Sequence, residues 1–348
     1  MPDRTPRNPD RTLPARPQHG DGWRIQPADE ALLTDLTRYG TMTFRQARQR
    51  FYGGVERTTD RRIGYLRKAG LLAVSRDHEW AGRLLLGTST GHTLIRDNLT
   101  VPLSASVRDP GERLLHKLAV TDAGMRFEQR GEVVLTEREL RTAEGTSDVR
   151  ETLAATLGVP LRSSRDGRGI DRRFCVPVGS RGAVHYPDLI VVTPEGLVAV
   201  EVEIAVKTMS KLREILRGYR DSGIFNQVVY FTTARVGALL HGWRDDDGDW
   251  APGVLQQVAL LPDGPPNYGP ESRVRVRPCH PRDPGVAYQL DKRQIPRSWH
   301  VDRSEWRLLR DGWAADSDLG KAAGVPFLRW WRDIEIPRRQ ATETRWTA

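Results

Sequence analysis

Asp188, Glu201, Glu203 and Lys207 stand close together in the stretch His185 to Lys207, on two apolar runs separated by Thr193-Pro194-Glu195-Gly196. Carboxylates beside an ammonium suit divalent-metal phosphodiester chemistry, because hard cations take oxygen ligands and can clamp the attacking and leaving oxygens of a phosphodiester. Val198, Val200, Val202 and Ile204 alternate onto one face of a strand, which leaves Ala199, Glu201 and Glu203 on the other. Both glutamates therefore look the same way.

The elements that must position these groups follow from the flanking residues. Proline at the second place and glycine at the fourth make Thr193 to Gly196 a turn, so the two runs form a hairpin, expected at a sheet edge. Two registers are open. A two-residue loop sets Asp188 opposite Glu201, and a bulge at Gly196 sets it opposite Val202 with both glutamates diagonal to it. Either leaves Asp188 and Glu201 within reach of one Mg²⁺ or Mn²⁺. Lys207 is expected to begin a helix whose apolar positions are Met209, Leu212, Ile215, Leu216 and Tyr219, with Lys211 one turn on. The chain has six lysines against forty-eight arginines, and two of the six fall here. A lysine can polarise water or a phosphate oxygen where the fixed fork of arginine suits less well.

This strand, turn, strand, helix block resembles the PD-(D/E)xK nuclease superfamily, whose pattern is Asp, a spacer, then Glu-x-Lys on the next strand. Asp188 and Glu201 match it; Glu203 stands where the lysine belongs. The resemblance therefore implies that Lys207, or failing it Lys211, supplies the charge, and that Asp188 and Glu201 hold the metal. Members of the superfamily often draw a further acid from a helix ahead of the hairpin, which nominates Glu137 first and Glu112 second. Glu137 also reads as a helix-start acid favouring the dipole. His116 reads as a packed or hydrogen-bonded histidine rather than a base.

Net charge +9 and a pI near 9.9 imply attraction to polyanions. The placement of that charge says more. Arg45 to Arg76 holds nine Lys/Arg against Glu56 and Asp60. The same region reads as a winged helix: helices at Ala28 to Arg38, Phe44 to Phe51 (capped by Thr43) and about Thr58 to Ala69, then strand-like stretches Leu71 to Ser75 and Arg83 to Leu86. Ile63 and Leu66 face inward on the third helix, while Arg57, Thr58, Arg61, Arg62, Tyr65 and Lys68 face outward toward double-stranded DNA, with Arg76 and Arg83 on the wing.

Further along, Glu112 to Gln129 reads as a helix, Gly131 to Arg141 as a short strand and a capped helix, Gln227 to Thr232 and Val254 to Leu260 as strands, and Asp245 to Asp249 as a hairpin turn. The fold class expected is α/β (α+β). A disordered arm (1–26) leads to the winged helix (27–107), a nuclease-like domain (108–261) and a Pro/Arg/Trp-rich extension (262–348) carrying helices near Ser304 to Gly312 and Phe327 to Asp333. Two cysteines, Cys175 and Cys279, fit a reducing cytoplasm, and no apolar run is long enough to span a bilayer.

Taken in order, the winged helix ending Leu66-Arg67-Lys68-Ala69-Gly70-Leu71, then Leu115-His116-Lys117-Leu118-Ala119-Val120, Thr136-Glu137-Arg138-Glu139-Leu140-Arg141, Pro187-Asp188 and Glu201-Val202-Glu203 with Lys207 resemble the replication-relaxation family of actinobacterial plasmids and integrative elements. The resemblance covers about residues 30 to 235. It implies a role in replication, relaxation or mobilisation of mobile DNA, beside a relaxase or replication initiator. Two functions stand: a Mg²⁺-dependent endonuclease aimed by its winged helix, and a non-catalytic DNA-binding accessory or regulator on a degenerate nuclease fold.

Overall fold

The computed structural model describes residues 23–75, 81–104, 114–157, 164–165, 171–179, 182–244, 247, 249–262 and 272–278, with the isolated residues 315 and 321. The chain is mixed α/β. Its N-terminal part runs α1 (Pro27–Tyr39), β1 (Thr41–Thr43), α2 (Phe44–Phe51), α3 (Glu56–Lys68), β2 (Leu72–Val74), β3 (Leu84–Gly87) and α4 (Ser89–Ile95). Proline at the first position starts α1, and Gly40, at a φ of 89°, ends it. Thr43 and Gln46 exchange hydrogen bonds of 3.1 and 2.9 Å across the start of α2, the reciprocal cap expected of their spacing. The three strands pair antiparallel in the order β1-β3-β2, and Leu32, Leu36, Met42, Ala47, Ile63, Leu66 and Leu85 fill the core between helices and sheet.

The chain continues through α5 (Leu114–Gln129), β4 (Val133–Thr136), α6 (Glu137–Glu144), α7 (Ser147–Leu157), β5 (Ser164–Arg165), β6 (Asp171–Arg172), β7 (Val176–Val178), β8 (Ala183–His185), β9 (Leu189–Thr193), β10 (Gly196–Glu203), α8 (Met209–Ser222), β11 (Gln227–Thr232), α9 (Ala234–His241), β12 (Gly242–Arg244), β13 (Trp250–Pro252), α10 (Val254–Gln257) and β14 (Val274–Pro278). Five of these strands form the main sheet, in the order β14-β11-β10-β9-β4. β10 and β9 are antiparallel and β10 and β11 parallel. Val198, Val200, Val202 and Ile204 pack toward Leu115, Ala119 and Ala123 of α5, whereas Leu197 and Ala199 pack toward Leu212, Ile215, Leu216 and Tyr219 of α8. The two faces read from the alternation in β10 are thus both buried.

Four expectations shift. The β9–β10 hairpin lies inside the sheet, flanked by β4 and β11, rather than at its edge. Residues 254–257 coil into α10 instead of extending, capping the core with Val254 and Leu255. The sheet also reaches past residue 261, because β14 pairs with β11 in parallel and buries Val274. Finally, Val101 and Leu103, ahead of the boundary expected at 108, belong to the main core. β12 and β13 pair antiparallel, while residues 245, 246 and 248 of the turn expected between them lie outside the described residues.

The two parts are docked through α5 and a group of arginines. Tyr39 at the end of α1 packs against Leu115, Ala119 and Ala123, with Gly124 so close to its ring that a Cβ there would collide with it. The Arg38 guanidinium reaches Glu128 of α5 (2.5 Å), Glu139 of α6 (2.9 Å) and the Val134 carbonyl of β4 (2.5 Å). Arg50 of α2 adds a 3.1 Å bond to Glu128. Among the described residues no helix is long and apolar enough to cross a membrane.

Candidate functional site

Thr193 pairs with Gly196 and Leu189 with Val200, so the loop is the two residues Pro194 and Glu195, and Asp188 falls opposite Glu201. This is the first of the two registers left open by the sequence. The Val202 N–H donates to Asp188 Oδ2 at 2.8 Å, and His116 Nε2, from α5, lies 3.3 Å from the same oxygen. Burial alone would raise the Asp188 carboxyl, but His116, the Val202 N–H and Lys207 outweigh it and hold it below the usual carboxylate range. Burial likewise pushes His116 down, and its carboxylate neighbour overcomes this, leaving the imidazole raised.

Glu201 is held from the other side of the sheet. His185 Nε2 lies 2.7 Å from its Oε1, and the Tyr219 hydroxyl donates to that same oxygen. His185 and Tyr219 meet edge to face, with ring centroids 6.0 Å apart. Burial lowers the His185 pKa and Glu201 raises it more.

Lys207 closes the group. It sits one residue ahead of Thr208, the cap of α8, rather than inside the helix, and its ammonium forms an ion pair with Glu203 Oε2. Burial works against that charge, but Glu201, Glu203 and Asp188 together raise the Lys207 pKa and keep the ammonium protonated. Glu203 is raised by burial; Lys207 opposes the shift, while Glu201 and Asp188 add to it. Lys211 is exposed and pairs with Glu214 at 3.5 Å on its own helix. Tyr230 of β11 stands beside Glu201 in the strand register, its hydroxyl fully buried.

Of the flanking acids, Glu137 brings its backbone rather than its carboxylate to this cluster. Its N–H donates to the Asp188 carbonyl at 2.9 Å, while its side chain pairs with Arg141 at 2.7 Å. Glu112 lies outside the described residues. Sequence reasoning gave His185, Tyr219 and Tyr230 no role at the site. His185 stands three places before Asp188, and Tyr219 falls on the apolar stripe of α8; in neither case does local spacing distinguish a site residue from a core residue.

On the N-terminal part, Arg57, Arg61 and Lys68 are exposed along α3, joined by Arg67, and Thr58 is half-buried. Arg62 is a correction. It is buried, paired with Asp29, bonded to the Arg24 carbonyl at 2.8 Å and stacked over Trp23 at 5.3 Å. The turn of α3 that points Ile63 and Leu66 inward carries position 62 with them, and Asp29 of α1 supplies the counter-charge. Tyr65 is half-buried against Trp23, ring centroids 5.7 Å apart, and so is only partly available outward. Arg83 is exposed and lies over the Phe44 ring at 4.7 Å; Arg76 lies outside the described residues. Arg45, Arg48 and Arg83 line a cleft of about 370 Å³ between α2, α3 and the start of β3, with Glu56 and Asp60 also on its walls.

Among the described residues no three His, Cys, Asp or Glu side chains converge as a ready-made metal-ligand set. Asp188 and Glu201, opposite each other in the strand register, are hard oxygen donors, and Mg²⁺ is commonly held by one or two carboxylates with water and phosphate oxygens completing its shell. The donor chemistry therefore fits Mg²⁺ or Mn²⁺. Comparison of the chain with protein-family models, with curated proteins and with solved structures finds no match.

Proposed function

We propose that this chain binds double-stranded DNA through α2, α3 and β3, and that the cluster on its main sheet is a divalent-metal phosphodiesterase site. The observation that carries the reading is the Lys207 ammonium resting on Glu203. In the PD-(D/E)xK pattern a lysine accompanies the carboxylates; position 203 lacks it, and the chain brings one back from four residues further on. Asp188 and Glu201 would hold Mg²⁺ or Mn²⁺, which when bound polarises a phosphodiester and activates water. His116 fixes the Asp188 carboxylate, His185 and Tyr219 fix Glu201, and Lys207 offers its positive charge to a phosphate oxygen. The order of helices and strands in the N-terminal part supports a winged helix, and exposed Arg57, Arg61 and Lys68 on α3, with Arg83 beside them, support phosphate contact. With the resemblance to the replication-relaxation family, this suits a cytoplasmic protein of a mobile element acting beside a relaxase or replication initiator.

One observation favours a second reading. Each of Asp188, Glu201 and Glu203 already has a protein donor or cation, as a non-catalytic accessory that keeps the fold as scaffold would need. Magnesium-dependent nicking of supercoiled plasmid decides between them. Asp188→Asn and Glu201→Gln are expected to abolish nicking without changing duplex affinity measured in calcium, and Lys207→Met to slow it by about a hundredfold or more while sparing metal affinity. A wild-type protein that neither nicks DNA nor binds a divalent cation at millimolar concentration establishes the accessory reading.

A further inference from the structure

Tyr230 is as tightly enclosed as Tyr219 at the cluster and is the less accounted for. It is 1% exposed, and its hydroxyl has no hydrogen-bond partner among the described residues. Its backbone pairs with Glu201 in the parallel β10–β11 register, which sets the two side chains side by side on the face that carries Glu203. Glu203 Oε2 is likewise buried, with no hydrogen bond beyond its ion pair with Lys207. A donor left unsatisfied in an enclosed polar cluster is costly, and a single water that accepts from the Tyr230 hydroxyl and donates to Glu203 Oε2, beside the Lys207 ammonium already there, removes that cost. The neighbouring hydroxyl, on Tyr219, is spent on Glu201 and is not available for this.

We propose that Tyr230 is a positioning residue: its hydroxyl donates to a water shared with Glu203 Oε2, and that water orients Glu203 beside Asp188 and Glu201 for a divalent cation. The part concerning the cation rests on the phosphodiesterase reading above; the part concerning the water does not. Groups outside the ligand shell that orient it through hydrogen bonds commonly carry a tenfold or greater share of metal affinity.

Tyr230→Phe in the full chain tests both parts. In EDTA, loss of a hydroxyl satisfied through water is expected to lower the melting temperature by about 2 °C, whereas removal of an unsatisfied hydroxyl would leave it unchanged or raise it; either of the latter overturns the water. In calorimetric titration with Mn²⁺, Tyr230→Phe is expected to bind about tenfold more weakly than wild type. Equal affinity in the two proteins overturns the positioning role. If wild type itself binds no Mn²⁺, the phosphodiesterase reading and the positioning role fail together, and the melting temperature alone decides the water.

Discussion

Arg61 and Arg62 are neighbours in sequence with opposite fates. Arg61 faces solvent on α3, while the Arg62 guanidinium is enclosed between Asp29, the Arg24 carbonyl and the Trp23 ring. Asp29 also accepts from the Tyr52 hydroxyl at 2.9 Å and from the Gln26 N–H at 2.8 Å, so this one carboxylate ties together the start of α1, the end of α2 and the middle of α3. Arg62→Ala would leave a buried carboxylate without its cation, a loss of about 3–5 kcal/mol. Urea unfolding is expected to show that loss. A variant as stable as wild type would mean that Arg62 points outward in solution. The same contrast holds at the sheet, where Glu201 and Glu203 read as polar-face residues and are in fact 2% and 5% exposed, each with a dedicated partner.

Among the elements, α3 and α5 have the clearest separate duties. The exposed side of α3 presents Arg57, Arg61 and Lys68, and their joint replacement by Ala is expected to flatten the salt dependence of duplex binding by about one unit of log-log slope per lost phosphate contact. An unchanged slope in the folded triple variant would move DNA contact elsewhere. α5 serves both parts of the molecule: Met125 packs in the N-terminal core, Leu115, Ala119 and Ala123 pack on the main sheet, and His116 reaches Asp188. A fragment beginning at residue 108 loses Val101 and Leu103 from the main core and Tyr39 from the face of α5. At about 2–5 kcal/mol for each large buried side chain removed, it is not expected to unfold cooperatively. A sharp, reversible transition in that fragment would show that the sheet domain stands alone.

At the scale of the whole molecule, the docking of the two parts depends on a buried ionic group whose charges do not balance. Asp35, Glu128 and Glu139 surround Arg38 and Arg50, and Asp35 is pushed up to about 7, first by burial and next by Glu128, with the two arginines only partly offsetting this. A carboxyl raised on folding binds its proton more tightly in the folded state, so its contribution to stability is present in full near pH 4 and is lost as pH rises through about 7. Asp35→Asn is expected to remove a pH-dependent loss on the order of 4 kcal/mol between those limits and to exceed wild type in stability at pH 8. Parallel denaturation curves for the two proteins at pH 5 and pH 8 would sink this assignment. Legibility in the sequence follows how local each cause is. The helix caps at Thr43 and Thr136, the two faces of β10, the turn at Pro194 and the strand at Gln227 were readable because each depends on residues a few places apart. A lysine near the carboxylates could be expected from Lys207, since the end of a strand is never far from the helix that follows it. The sequence by itself thus determined the elements that carry the site, the α/β class and the acidic cluster with its lysine, though not the helix at Val254–Gln257, which reads as a strand. Tertiary structure decided the rest: the interior place of the hairpin, the burial of Arg62 by Asp29, the return of β14 to the sheet, and the arrival of His116, His185, Tyr219 and Tyr230 at the carboxylates. Each of these depends on packing between segments far apart in the chain, where no local period or spacing records which buried surface will meet which.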